Sequence, residues 1–165
     1  MVCLAFFPLA KDTFTYASTL PQPSALFYKA VAQWLVDHTP ASATVAALEI
    51  GHIGYYSDRY IVDWAGLVTP DARQDLLRGD FHTTLHRHKP DYVLYDPRFR
   101  GWLEPLLFRP WFQAAYEKVD EISSDRFPGY SMVIYRKRPS ADTVRPVYDL
   151  DCTQMGIEVT AGEIY

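Results

Sequence analysis

TVAALEIGHIGYYSDRYIVDWAGLVTP, residues 44–70, is the stretch on which the reading of the fold turns. It opens with Val45, Ala46, Ala47, Leu48 and Ile50, an apolar run of strand length broken only by Glu49 and closed by Gly51. A continuous apolar run of that length is the pattern of a strand buried on both faces. A second run, Tyr60 to Ala65, follows an aromatic and polar connection and closes at Gly66. Two such runs so close in the chain are expected as adjacent, parallel, buried strands, Val45–Ile50 beside Ile61–Ala65.

Working outward, Lys11 to Pro23 is a polar approach segment. Ser24 then caps a helix to about His38, with Phe27, Val31, Trp34 and Leu35 recurring on one face, and Pro40 ends it. Downstream, Thr69-Pro70-Asp71 is a helix start and Gly79 a break. Asp80 caps a second short helix to His88, with Phe81 and Leu85 four residues apart on the core side. Asp91 to Asp96 is a third strand by its β-branched and aromatic content. Arg98 to Arg109 reads as a loop, after which Pro110 opens a helix through Ala115. Tyr116 to Ser123 and Tyr130 to Lys137, joined by SDRFPG, form an antiparallel hairpin. Beyond Arg138 the periodicity is lost, and a tail follows that adds a strand near Ile157 to Val159.

Strands alternating with helices and then a hairpin predict an α/β domain: three-layer, Rossmann-like, mostly parallel, with a C-terminal antiparallel hairpin. The chain divides into an approach segment over 1–23, the α/β domain over 24–138 and a tail over 139–165.

At 165 residues, 48% hydrophobic and 22% charged, the chain buries a core as a single domain. A formal net charge of −4 without a basic run leaves no electrostatic footprint for nucleic acid, so that partner class is excluded. Cys3 and Cys152 stand near opposite ends, which rules out a CxxC motif. The apolar start MVCLAFFPLA falls short of the ~20 residues of a membrane span and lacks the basic flank of a signal peptide. It reads as a segment packed on the domain or as the end of a membrane helix.

Glu49 to Gly54 has the ExGxxG form of a nucleotide- or S-adenosylmethionine-binding turn. Asp63 follows Gly54 by nine residues, however, where such a turn places its ribose acid ~20 residues on. A structural turn that needs small residues explains the glycines better. His82, His86 and His88 in HTTLHRH offer an i, i+4 pair but no recognisable third ligand, and a helix C-terminus favours His and Arg for its dipole alone. No paired general acid and base stands out, so no catalytic residue, metal ligand or cofactor is assigned.

In α/β sheets ligands sit beyond the carboxyl ends of the strands. That rule nominates Tyr55, Tyr56, Ser57 and Asp58 after the first strand, Asp63 and Trp64 at the end of the second, and Asp96 and Arg98 after the third. Aromatic faces with hydroxyl and carboxylate neighbours suit a sugar, although acids at strand ends also cap turns.

EIGHIGYYSDRYIVDWAGLVTPDA, with HRHKPDYVLYD, RPWFQAAYEKV and YSMVIYRKR, resembles the soluble C-terminal region of bacterial polytopic membrane glycosyltransferases of the GT-C type, similar to protein mannosyltransferases and lipid-A aminoarabinose transferases. The likeness spans about residues 24–138 and is most specific over GYYSDRYIVDWAGLVTP. It implies a noncatalytic domain on the outer, extracytoplasmic face of the membrane. Its partners would be the membrane-embedded part of the same protein and a glycan or polyprenyl-phosphate sugar. It transfers no catalytic residue. A self-sufficient enzyme binding a nucleotide or S-adenosylmethionine, and a plain interaction module, stay open beside it.

Overall fold

A computed structural model describes residues 23–139 apart from Ser124, and the side chains of all of these but Phe81 and Trp102. Cys3, Cys152, the N-terminal apolar run and the strand expected near 157–159 lie outside the described residues.

Helix α1 (Pro23–His38) buries Phe27, Tyr28, Val31, Ala32 and Leu35, the face its periodicity marks out. Thr39 ends it, its hydroxyl donating to the Leu35 carbonyl at 2.6 Å. The quoted stretch then folds as β1 (Thr44–Ala47), α2 (Ile50–Ser57) and β2 (Tyr60–Asp63). The first strand is thus shorter than expected. Glu49 bends the backbone (φ −92°, ψ 78°) and Ile50 already belongs to a helix, which carries Ile53 fully into the core. Gly54 lets that helix approach the following strand: a Cβ there would lie 3.1 Å from the Ile61 side chain. Helices α3 (Pro70–Leu77) and α4 (Phe81–His88) follow, the second capped by Asp80, whose carboxylate accepts from the N–H groups of His82 and Thr83. Next comes β3 (Tyr92–Tyr95).

Where a loop was expected over Arg98–Arg109, the chain forms a 3₁₀ turn (Pro97–Phe99) and helix α5 (Arg100–Leu107). Leu103 and Leu106, three residues apart, are each 1% exposed. At about 2 kcal/mol apiece their burial outweighs the ~3 kcal/mol that Pro105 costs inside the helix. Helix α6 (Pro110–Ala115) and the hairpin strands β4 (Tyr116–Ser123) and β5 (Ser131–Lys137) complete the described chain.

The five strands lie in the order β2-β1-β3-β5-β4. β1 pairs in parallel with β2 (Val45 opposite Ile61) and with β3 (Val45 opposite Tyr92). β5 is antiparallel to β3 and to β4, so it alone runs against the other four. The expected parallel neighbours are therefore present. One part of the expectation fails: β2 is an edge strand, with Tyr60 64% exposed and only Val62 and Asp63 buried. The short β1–α2–β2 crossover leaves β3 to take the other side of β1, and no later strand among the described residues reaches β2.

Alternation along the strands feeds two cores. Val45, Ala47, Leu94 and Ile134 pack with Phe27, Val31 and Leu35 of α1 and with Ile53 of α2. Ala46, Val62, Val93 and Tyr95 pack on the opposite face with Leu85, Leu103, Leu106 and Phe112 of α4, α5 and α6. The domain is α/β, with a mixed sheet between two helical layers.

Candidate functional site at the carboxyl ends of the parallel strands

The chain leaves β2 at Asp63, which is wholly buried. Its carboxylate accepts the backbone N–H of Ala65 (2.8 Å), Leu67 (2.5 Å) and Val68 (3.0 Å), while the Thr69 hydroxyl accepts the N–H of Asp63 itself (2.9 Å). One side chain thereby satisfies three donors of a turn that has no ladder to join. Gly66 occupies the left-handed region (φ 72°), and a Cβ there would lie 2.7 Å from the backbone of Arg73. The turn is tight, and it holds Leu67 and Val68 out at 78% and 60% exposure.

β3 ends in a second acid. Asp96 is 3% exposed and grips Arg98 through several bonds: the Arg98 N–H and Nε reach Oδ1 at 2.9 and 3.0 Å, and Nη2 reaches Oδ2 at 2.6 Å. The same Nη2 also donates to the Tyr28 hydroxyl of α1. The guanidinium lies 4.3 Å from the centre of the Tyr130 ring, a cation–π contact. Burial, with the Glu49 carboxylate adding to it, pushes the Tyr28 phenol up to about 12. Hydrogen bonding to Asp96 raises the Arg98 guanidinium above its ordinary value, so it stays charged.

Of the eight nominated residues, the structure brings Asp63, Trp64, Asp96 and Arg98 to this edge and takes the other four elsewhere. Because β1 and β2 are parallel, α2 must run back along the sheet, and its end lies at the amino ends of the strands. Next to Ser57, Arg59 donates to the Thr39 carbonyl (2.8 Å) and hydroxyl (2.9 Å), where α1 turns into β1. Ser57 is buried there, Asp58 closes the helix in the left-handed region (φ 53°), and Tyr55 and Tyr56 face solvent at 82% and 44% exposure. The expected gathering of all eight along one edge is thus corrected by a helix read as a connection. Trp64, 1% exposed, belongs to the core, and its Nε1 has no hydrogen-bond partner among the described residues.

The ExGxxG segment occupies the β1–α2 junction, where Gly51 has open space around it. Asp63 also stands where a ribose-binding acid would, at the end of the second strand. Its carboxylate is already fully engaged by the turn, and the hollow behind Leu48, Glu49 and Asp96, about 10 Å³, holds at most a water. His82 and His86 both sit edge-on to Trp111, with ring centres 6.2 and 6.3 Å away, and His88 pairs with Asp71 at 2.8 Å. Among the described residues no group of three or more His, Cys, Asp and Glu is placed to hold a metal ion.

Sequence reasoning missed Tyr28 and Tyr130, because each reads as one more aromatic in an apolar pattern. Only the Arg98 they share marks them out.

A protein-family model described as a domain of unknown function, DUF8728, matches residues 16–152. No curated protein and no solved structure shows a significant match.

Proposed function

The chain belongs to the DUF8728 family, a domain of unknown function. We propose that it is a noncatalytic extracytoplasmic domain of a membrane glycosyltransferase with a lipid-linked sugar donor. In this reading its β1–α2–β2 and β3 units are a Rossmann-like frame turned to scaffolding, which positions an acceptor or covers the active site of the membrane-embedded part.

One observation carries the noncatalytic part. Both acids that the topology offers at the strand ends, Asp63 and Asp96, are buried and engaged within the protein. A general base must reach the proton it abstracts, and neither carboxylate is open to a substrate. The membrane setting is supported by the resemblance over GYYSDRYIVDWAGLVTP, each part of which has a structural task here: Gly54 admits Ile61, Arg59 ties down α1, and Asp63, Gly66 and Thr69 build the turn. Tyr55 and Tyr56 of α2 and Tyr60 of β2, all exposed, offer aromatic surface for the membrane-embedded partner. Among the described residues no helix is long and apolar enough to cross a membrane.

The test is made in the native cell with an epitope tag on the chromosomal copy. The tagged product is expected in the membrane fraction, larger than this chain, and open to protease added outside. A soluble product of the size of this chain overturns the reading, as does sugar transfer from a polyprenyl-phosphate donor by the purified chain alone.

A further inference from the structure

A concavity lies away from the strand ends, over the second core, where the end of α5 and the start of α6 face the hairpin. It encloses about 420 Å³ and is lined by Tyr95, Glu104, Phe108, Phe112, Tyr135 and Arg138 among others. That volume lies in the range of small-molecule sites. We propose that this cleft binds a neutral saccharide, a single pyranose unit or the end of a glycan.

Three features define the ligand class. The first is aromatic surface. Phe112 and Tyr116 stack at 4.9 Å between ring centres, Tyr135 meets Phe112 edge-on at 5.3 Å, and Phe108 stands 69% exposed at the mouth. Phe112 and Tyr116, 1% and 5% exposed, form the packed wall, and the exposed Phe108 ring is the aromatic surface open to the C–H side of a pyranose.

The second is unpartnered polarity along the lining, from the buried Tyr95, the half-buried Tyr135 and the exposed Glu104. Tyr95 is only 8% exposed, yet its hydroxyl has no hydrogen-bond partner among the described residues, and the same holds for the hydroxyl of Tyr135 and the carboxylate of Glu104. Burial pushes both phenols up, so each presents a neutral O–H that donates as well as accepts. A half-enclosed hydroxyl without a protein partner wants a polar ligand atom.

The third is charge. The lining holds two acids, Glu104 and Glu117, and two cations, Lys118 and Arg138. Both cations are engaged: Arg138 with Glu117 at 3.0 Å, and Lys118 with Glu121 at 2.7 Å. With Glu117 shared between Arg138 and Arg136 (2.7 Å), no cation of the lining stands unpaired to neutralise a phosphate or carboxylate, while the open Glu104 carboxylate accepts from hydroxyl groups, so a ligand rich in hydroxyls and without negative charge fits it. This inference does not rest on the membrane reading, and its test makes no use of a membrane.

The test is an NMR titration of the full 165-residue chain with methyl gluco-, galacto- and mannopyranosides, and separately with inorganic phosphate. Millimolar binding is expected for at least one glycoside, with shifts confined to Tyr95, Phe108, Phe112 and Tyr135 and their neighbours, and none with phosphate. Tyr95→Phe, which keeps the packed ring, is expected to weaken binding about fivefold, the equivalent of one neutral hydrogen bond. Glu104→Gln, at an exposed position outside the core, weakens it comparably and serves if Tyr95→Phe fails to fold. Absent shifts with all three glycosides, shifts elsewhere, phosphate binding in the cleft, or unchanged affinity in a folded variant would each overturn the assignment.

Discussion

Asp63 shows how a residue that reads as chemistry can be architecture. A carboxylate with no exposure and three backbone donors closes a turn that neither sheet nor helix could satisfy. Asp63→Asn puts an amide NH₂ where acceptors are needed and leaves at least one donor without a partner, so a loss of about 3 kcal/mol is expected in urea unfolding, with the slope unchanged. The glycine of the same turn allows a paired comparison. Gly66 and Gly79 have nearly the same positive φ, 72° and 69°, but only Gly66 faces a neighbour, the Arg73 backbone. Gly79→Ala is expected to cost about 1 kcal/mol and Gly66→Ala at least twice that, the difference measuring the crowding. Near the start of β3, burial works to raise the Asp91 carboxyl, but hydrogen bonds from the Thr44 N–H and hydroxyl, aided by Lys137, prevail and hold it below the usual carboxylate range. A depressed folded value adds stability that is complete above the unfolded value near 3.9 and is lost as pH falls through the folded one. The melting temperature is therefore expected to drop in acid below about pH 4, and Asp91→Asn to flatten part of that drop.

At the scale of elements, the order of strands and helices was readable because most of them carry a strong pattern and a stop signal. Val45 to Ala47 and Tyr92 to Tyr95 are apolar enough to be strands in any context, and Pro70 and Pro110 stand at helix starts. Two elements were not readable, for opposite reasons. α2 has two glycines and a polar end, so its sequence says connection; it is helical because Ile53 finds a fully buried site beneath β1. That one omission misplaced half of the candidate site, since a helix between parallel strands carries Tyr55 to Asp58 to the far end of the sheet. α5 contains Pro105, Gly101 and two flanking arginines, and local propensity argues against it until tertiary burial of Leu103 and Leu106 is counted. Asp63, Asp96 and Arg98 were legible as strand-end residues by topology alone, whereas their engagement within the fold depends on partners distant in sequence. Pro105 gives a direct test of this balance. It is exposed, and it denies a hydrogen bond to the Gly101 carbonyl one turn earlier. Pro105→Ala is expected to stabilise the domain by about 1 kcal/mol, the helix gain exceeding the entropy returned to the unfolded chain; a lower melting temperature would assign Pro105 a packing role instead.

At the scale of the whole molecule, the domain has two cores separated by the sheet, and the question is what joins the helix of one face to the strands and the hairpin. Trp34 of α1 reaches across to Asp120 of β4 at 2.6 Å, on the exposed side. The more enclosed tie is Arg98: it is held by Asp96 at the end of β3, donates to Tyr28 in α1 and stacks on Tyr130 at the approach to β5. A planar guanidinium serves three directions at once, which an ammonium on a flexible stem does not. Arg98→Lys is accordingly expected to destabilise by about 2 kcal/mol, close to the effect of Arg98→Ala. The Tyr28 arm has its own signature in alkaline solution. Burial and the nearby Glu49 carboxylate raise the folded phenol to about 12, against about 10 in an unfolded chain. The folded state then holds this proton more tightly, so the contribution is complete below about pH 10 and disappears as pH rises toward the folded value. Tyr28→Phe keeps the ring in the core with Phe27 and removes the titrating group. Relative to the wild type, it is expected to be less stable at neutral pH through loss of the Arg98 hydrogen bond, and to lose less stability between pH 10 and 12. Urea unfolding at neutral and alkaline pH on both proteins, together with Arg98→Lys and the double variant, measures each step. If the two proteins lose stability in parallel through the alkaline range, Tyr28 is not the group whose proton the fold holds.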